Sequence, residues 1–391
     1  MVTSEVAVSA KRVLIVKLSS LGDLIHALPT IHRLKVGLPA TITWVVNAVY
    51  APLLTHALDV DEVIPFDRRR PLRGLCEVVR QLRRREFDFV IDLTGLFKSA
   101  LISRLARGRL CLGPSSAREL AWLFYHRRIG SNDLNRHAVD RYLDVVRALE
   151  VQEGDRVFSL AFPSWAPAAD GGRPVVVLIP GARWATKMWP AAAFADLAER
   201  LCRDRVQVIL VGGESPIAGD PLAALDGVLD LRGKTSLPEL GGILQRADLV
   251  IANDTGPMHL AASLGRRVIA LMGPTDPKRT GPYGEGHRVL STWPSCSPCL
   301  SKICRNPAGQ VCLRDLRPGE VYAAAVAMLA HGARAQRPCA AERTPAESVP
   351  SRFDQGLDGE LGRTAHRPER VEGLTAEGRV EGQAEESPNP Y

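Results

Sequence analysis

The apolar run Val13-Leu14-Ile15-Val16 ends at Lys17 and passes through Leu18-Ser19-Ser20-Leu21-Gly22-Asp23 into Leu24 to Lys35, a segment with helical spacing. A strand that turns through a short Ser/Gly loop straight into a helix commits this part of the chain to an α/β fold. The helix presents unpaired amides and the positive end of its dipole above the carboxyl edge of the strand, where such folds bind ligands. Asp23 stands at that doorway. A carboxylate there is either a cap on the helix or a base facing a ligand.

The alternation continues. Strand-like and helix-like segments follow as Ala40 to Val46 then Tyr50 to Leu58, Glu62 to Pro65 then Leu72 to Arg85, and Phe89 to Leu93 then Phe97 to Leu105, with an amphipathic helix from Arg136 to Leu149. This spacing predicts a parallel sheet with helices on both faces. Pro, Gly and Ala crowd Phe162 to Pro174, which reads as a linker with a domain boundary near residues 165 to 173. Beyond it, strands recur at Val175 to Ile179, Val206 to Val211, Val228 to Leu231, Leu249 to Ala252 and Val268 to Met272. Helices fall at Ala191 to Arg203, at Leu237 to Gln245 and from about Pro257. The expected domains are residues 1–165 and 174–335, each a Rossmann-like doubly wound sheet. Two such domains facing across a cleft resemble the GT-B architecture. Residues 340–391 carry hardly any apolar side chains and are expected to be a disordered tail.

No apolar run approaches the roughly 18 residues that span a bilayer. The first eleven residues lack an apolar block behind a basic start, so the chain reads as cytoplasmic. Its net charge of +7 hides an asymmetry: residues 341–391 carry 11 acidic and 6 basic side chains, leaving 44 basic against 32 acidic before them. Much of the excess lies in the first half, including Arg68-Arg69-Arg70, Arg83-Arg84-Arg85 and Arg118. These are either solvated helix faces or a surface for an anionic partner. Nucleic acid is not expected, because no aromatic interleaving or nucleic-acid motif accompanies the charge.

Asn253-Asp254-Thr255-Gly256-Pro257-Met258-His259 follows a strand and opens a helix at Pro257. Thr255 and Gly256 then place amides at a helix N-terminus, a natural phosphate seat. Asp254 is a cap or a partner for sugar hydroxyls, and His259 is a core histidine or part of the same pocket. In Gly181-Ala182-Arg183-Trp184-Ala185-Thr186-Lys187-Met188-Trp189-Pro190, a lysine sits between two tryptophans. A lysine beside a diphosphate neutralises charge growing on a leaving group, which points to transfer without a metal ion. A nicotinamide oxidoreductase would need Gly-x-Gly-x-x-Gly after the first strand, and neither Ser19-Ser20-Leu21-Gly22 nor Gly212-Gly213-Glu214 supplies it.

These motifs, together with Gly-Leu-Phe-Lys-Ser-Ala at 95–100, Ser-Ala-Arg-Glu at 116–119 and His-Ala-Val-Asp-Arg at 137–141, resemble the ADP-heptose:lipopolysaccharide heptosyltransferases of glycosyltransferase family 9. The resemblance runs from about Lys11 to Ala330, and its middle motifs lean toward the type that adds the first heptose. It implies an inverting transfer of heptose from ADP-L-glycero-D-manno-heptose to the Kdo region of a Kdo-lipid A acceptor, at the cytoplasmic face of the inner membrane and with peripheral attachment by charge. By the same resemblance residues 1–165 bind the acceptor and residues 174–335 the nucleotide sugar. Asp23 would be the base. Lys187, Asp254, Thr255, Gly256 and His259 would hold the donor, Glu214 would meet the ribose, and Ser19, Ser20 and Gly22 would shape the acceptor side. Arg68, Arg69, Arg70 and Arg118 are the expected contacts to the anionic acceptor and membrane. No cofactor is required for transfer. Addition of a second heptose, or a nucleotide-sugar epimerase of the same architecture, is the alternative.

Cys296, Cys299, Cys304 and Cys312 form one cluster in the sequence. The spacing fits a structural zinc, an iron–sulfur set, free or redox-active thiols, or disulfides.

Overall fold

The computed structural model describes residues 10–131, 133, 135–164, 172–213, 220–223 and 225–335. The expected tail, most of the linker and Glu214 lie outside them. In the first half the order is β1 (Lys11–Val16), α1 (Leu21–Gly37), β2 (Ala40–Asn47), α2 (Ala51–Leu54), β3 (Glu62–Phe66), α3 (Pro71–Leu82), β4 (Phe87–Asp92), α4 (Phe97–Leu105) and β5 (Gly108–Pro114). A 3-10 turn at Ala121–Phe124, β6 (Arg127–Ile129), α5 (Ala138–Tyr142) and α6 (Asp144–Ala148) complete it. The second half begins with β7 (Val175–Ile179), a 3-10 turn at Ala185–Lys187, α7 (Ala191–Arg203), β8 (Gln207–Leu210), β9 (Val228–Asp230), α8 (Leu237–Arg246) and β10 (Leu249–Asn253). It continues with α9 (Gly256–Ser263), β11 (Val268–Leu271), α10 (Pro277–Thr280), β12 (Arg288–Leu290), α11 (Val311–Arg314) and α12 (Pro318–Ala335).

Each half builds a six-stranded sheet, ordered β3-β2-β1-β4-β5-β6 and β12-β11-β10-β7-β8-β9. Neighbouring strands pair in parallel throughout both. Counted from its own first strand, the second sheet repeats the order of the first. The strand order reverses between β1 and β4 in one sheet and between β7 and β10 in the other. At such reversals the loops leaving the carboxyl ends diverge and open a crevice. The loops after β1, β7 and β10 are the ones that carry Lys17 to Asp23, Pro180 to Pro190 and Asp254-Thr255, so topology alone puts these motifs at the two crevices.

Val13, Leu14, Ile15 and Val16 are fully buried, as a central parallel strand covered on both faces requires. One apolar cluster is shared between the halves, joining Val13 and Ile15 of β1 and Ile25 of α1 to Val177 of β7 and Met258 of α9. Two more fill the outer faces, around Phe66 and Val90 in the first half and Trp189 and Phe194 in the second. α1 and α9 touch closely. A Cβ on Gly22 would fall 2.5 Å from His259 Cδ2, and one on Gly256 would fall 2.7 Å from Leu21 Cβ. No described helix is long and apolar enough to cross a membrane.

The structure departs from sequence expectation in places. β5 and β6 carry too few apolar residues to stand out as strands, and β6 has only three residues. The helix expected over Arg136 to Leu149 is two short helices that meet at Leu143. The one expected over Tyr50 to Leu58 stops at Leu54, because the chain there turns to bridge Ala57 with Leu160.

Candidate active site

The loop after β1 is tied to the helix that follows it. Ser20 donates from its backbone N–H (3.0 Å) and from Oγ (2.8 Å) to Asp23 Oδ2, so Asp23 caps α1 in a capping box. Tyr142 of α5 donates its hydroxyl to Oδ1 at 3.3 Å. Lys17 is buried, its Nζ 5.3 Å from the centre of the Tyr142 ring. Burial by itself would raise the Asp23 pKa, but the Lys17 charge and the Ser20 hydrogen bonds outweigh it and hold it at about 2. Burial by itself would lower that of Lys17, yet Asp23 and Tyr142 hold it at about 12. Asp23 is therefore an anion that remains partly exposed while also serving as a cap.

One turn further along α1, His26 reaches the second half, its Nε2 3.1 Å from His259 Nδ1. His137, at the start of α5, stands edge-on to His26 with ring centroids 5.1 Å apart, and its Nε2 lies 3.1 Å from the Gly281 carbonyl oxygen. Burial, the largest cause, and the neighbouring imidazoles push His26 well below the usual histidine range. Burial first, then His137, push His259 down to about 3. Both rings are neutral near pH 7.

On the opposite side Asp254 is nearly inaccessible. Lys187 Nζ lies 2.7 Å from its Oδ2, Thr275 Oγ1 donates to the same oxygen at 2.5 Å, and His259 Nε2 stands 3.9 Å from Oδ1. Lys187 also lies over the Trp184 ring at 4.7 Å, which fixes the ammonium from a second side. Thr255 is the N-cap of α9, with Gly256 and Pro257 in its first turn. The orphan amides and dipole of that helix end therefore point into the pocket of Lys187 and Asp254. Asn253 clamps the Pro180 to Pro190 loop: its Oδ1 accepts from Trp189 N at 3.0 Å and its Nδ2 donates to Pro180 O at 2.6 Å.

The sequence-predicted residues are thus gathered unevenly. Gly22 meets His259 across the seam with Ser20 and Asp23 in the same turn of chain, and Lys187, Asp254 and Thr255 form one group behind it. Arg68 is exposed, and its charge and that of Arg183 both act on Tyr50, whose pKa burial raises. Arg69, Arg70 and Arg118 are exposed on the rim outside. Lys17, His26, Tyr142 and Thr275 were missed. His26 comes from the interior of α1 and Tyr142 from the last position of α5, where a lone polar residue carries no sequence signal of its partner.

The metal reading of Cys296, Cys299, Cys304 and Cys312 does not fit. Among the described residues no group of three or more His, Cys, Asp or Glu side chains is placed to hold a metal ion. Cys296, Cys299 and Cys304 are exposed. Cys312 packs partly on the second half's core, its Sγ 2.6 Å from where a Cβ on Gly273 would sit, and the other three lie close enough to act on its thiol, whose pKa burial raises.

Two parallel sheets of this order, with an anionic residue after the first strand of one and a loop lysine beside a helix N-terminus in the other, form the GT-B architecture of a glycosyltransferase. Residues 75–309 match the model of glycosyltransferase family 9 (heptosyltransferase). The chain is 35% identical over 310 residues to lipopolysaccharide heptosyltransferase 1 of Pseudomonas aeruginosa, covering 75% of this chain and 87% of that protein. It is 33% identical over 298 residues to the Escherichia coli K12 enzyme of the same name, covering 71% and 92%. The solved structure of E. coli heptosyltransferase WaaC with ADP superimposes with a TM-score of 0.66 at 28% identity, covering 81% of this chain and 99% of that one. The chain belongs to glycosyltransferase family 9, the heptosyltransferases.

Proposed function

We propose that this enzyme transfers heptose from ADP-L-glycero-D-manno-heptose to the Kdo region of the lipopolysaccharide inner core, with inversion and without a metal ion. The observation that carries the reading is the pairing of two differently charged sites at one seam: ionised Asp23 on one side, the Lys187–Asp254 pair and the α9 N-terminus on the other. Residues 1–165 then serve the acceptor and 174–335 the donor. The relatives named as heptosyltransferase 1 support the first transfer, and the WaaC structure with ADP supports the donor nucleotide.

In this reading Asp23 accepts the proton of the acceptor hydroxyl while its oxygen attacks the anomeric carbon from the face opposite ADP. With a pKa of about 2 the carboxylate is a weak base, so the proton moves late, as the forming C–O bond makes the hydroxyl acidic. The C–O bond to ADP breaks, and the diphosphate's growing charge is met by Lys187 and the amides at Thr255 and Gly256. His259 and Asp254 hold the sugar. Arg68, Arg69, Arg70 and Arg118 meet the anionic acceptor at the cytoplasmic face of the inner membrane.

The test is a mass measurement. The protein is incubated with ADP-heptose and Kdo-lipid A, with and without a first heptose already attached. Gain of one heptose on the acceptor without heptose supports the proposal; gain only on the pre-heptosylated acceptor makes it the second transferase, and ADP release without any acceptor makes it an epimerase-like enzyme.

A further inference from the structure

Beside the mouth of the cleft, on the side of the first sheet that carries α3 and α4, apolar side chains stand in water. Leu72, Phe97, Leu120, Trp122 and Leu123 are between 45% and 80% exposed. They come from three adjacent segments. The Phe97 and Phe124 rings meet edge-on at 5.5 Å, joining α4 to the Ala121–Phe124 turn, and Arg118 N donates to Gly95 O at 2.9 Å. Lys98 lies over Phe66 at the end of β3, which brings the start of α4 beside the loop that leads to Leu72. Isolated exposed apolar residues are ordinary, but a contiguous group marks an interaction surface. Glu119 and Leu120 both take left-handed backbone angles, φ 55° and 59°, a conformation that costs each about 1 kcal/mol and here holds a leucine outward.

Cations surround this group. Arg68, Arg69 and Arg70 lie in the loop after β3, Arg73 on α3, Lys98 on α4, and Arg118 ahead of the turn. The nearby carboxylates are already engaged: Asp67 accepts from Arg69 N, Glu77 pairs with Arg73, and Glu119 accepts from Phe97 N. Leucines, phenylalanine and a tryptophan ringed by arginines, of which Arg68, Arg69, Arg70 and Arg118 form no ion pair among the described residues, are the chemistry of a surface that seats in an anionic lipid interface, with apolar tips among the acyl chains and guanidinium groups at the phosphates.

We propose that this rim docks the enzyme onto an anionic lipid leaflet, with Leu120, Trp122 and Leu123 entering the interface. Attachment is then by insertion as well as by charge. The placement rests on the proposed reaction in one respect: the rim lies on the same sheet edge as the Asp23 loop, so a lipid-anchored acceptor in that leaflet reaches the cleft without leaving the membrane.

The experiment sediments the full chain with vesicles of phosphatidylcholine alone or mixed with phosphatidylglycerol. The expected result is binding to the mixed vesicles only, weakened about tenfold or more in L120S/W122S/L123S. That variant keeps the wild-type unfolding midpoint and the wild-type transfer rate to an acceptor stripped of its acyl chains. A polarity-sensitive dye on Leu123→Cys is expected to shift to the blue with mixed vesicles. Equal binding by wild type and variant, no binding by either, or an unshifted dye overturns the proposal. So does a wild-type dimer that becomes a monomer in the variant without vesicle binding, which would assign the rim to a second copy. Failure of transfer to the stripped acceptor would instead strike the proposed reaction and leave the vesicle result standing.

Discussion

His26 Nε2 and His259 Nδ1 are 3.1 Å apart, so helices from opposite halves share one hydrogen bond at the seam of the cleft. Only one of the two nitrogens holds the proton. If His259 carries its own proton on Nε2, toward Asp254 Oδ1, then His26 is the donor and fixes the tautomer of its partner. His26→Phe removes that donor, whereas His26→Gln keeps an N–H at a similar reach. Steady-state kinetics should show kcat/KM for the sugar nucleotide falling about tenfold in His26→Phe, the cost of one lost buried hydrogen bond, with most of it restored in His26→Gln. Equal defects in both variants would assign His26 to packing alone.

The same histidines make stability depend on pH. His259 has its folded pKa depressed from 6.5 to about 3 by burial and by His137, and His26 is depressed in the same direction. Between these values the unfolded chain binds protons that the folded chain does not. The contribution of His259 is therefore complete above about pH 6.5 and falls as pH drops toward 3, by roughly 1.4 kcal/mol per pH unit, and His26 adds to the fall in the same direction. Urea unfolding at pH 7 and pH 5 measures this slope, which His259→Gln should reduce.

Lys187 and Asp254 separate stability from binding. Lys187→Ala leaves a buried carboxylate with Thr275 as its one close donor among the described residues, so a loss of about 2 to 3 kcal/mol in unfolding free energy is expected. The double variant K187A/D254N should recover much of that stability. It should not recover ADP affinity, which falls at least about tenfold in both by calorimetry. A metal chelator is expected to leave the wild-type rate unchanged, because the lysine supplies the charge.

Gly22 tests the closeness of the two helices. Alanine is the better helix former by up to about 1 kcal/mol, yet its Cβ would fall 2.5 Å from His259 Cδ2. Gly22→Ala should therefore lower both the thermal midpoint and kcat. A stabilised, fully active variant would show that α1 and α9 part easily.

Much of this arrangement was legible in the sequence. Central strands such as β1, β7 and β10 are continuous apolar runs, and the Gly, Pro, Ser and Asp residues that turn out of them mark the loops, so the two sheets could be read directly. β5, β6 and β12 could not, because strands at or near a sheet edge need little apolar surface. In the candidate site, groupings of residues close in sequence were legible, such as Asp254 with His259 or Asp23 at the start of its helix. The site was illegible where partners lie far apart: Tyr142 is 119 positions from Asp23, and His26 is 233 from His259. The cysteine spacing spoke only to neighbourhood: Cys296, Cys299 and Cys304 lie close enough to act on the Cys312 thiol, yet among the described residues no three such side chains are placed to hold a metal ion.

Asp23 carries the central claim, and replacing it separates chemistry from binding. The measurement is kcat with ADP-heptose and Kdo-lipid A, beside the dissociation constant for ADP-heptose, in Asp23→Asn and Asp23→Ala. A general base at Asp23 implies a fall in kcat of about a thousandfold in both variants, with donor affinity within about threefold of wild type. A variant that keeps more than about a tenth of wild-type kcat, or whose loss lies wholly in donor affinity, would contradict it.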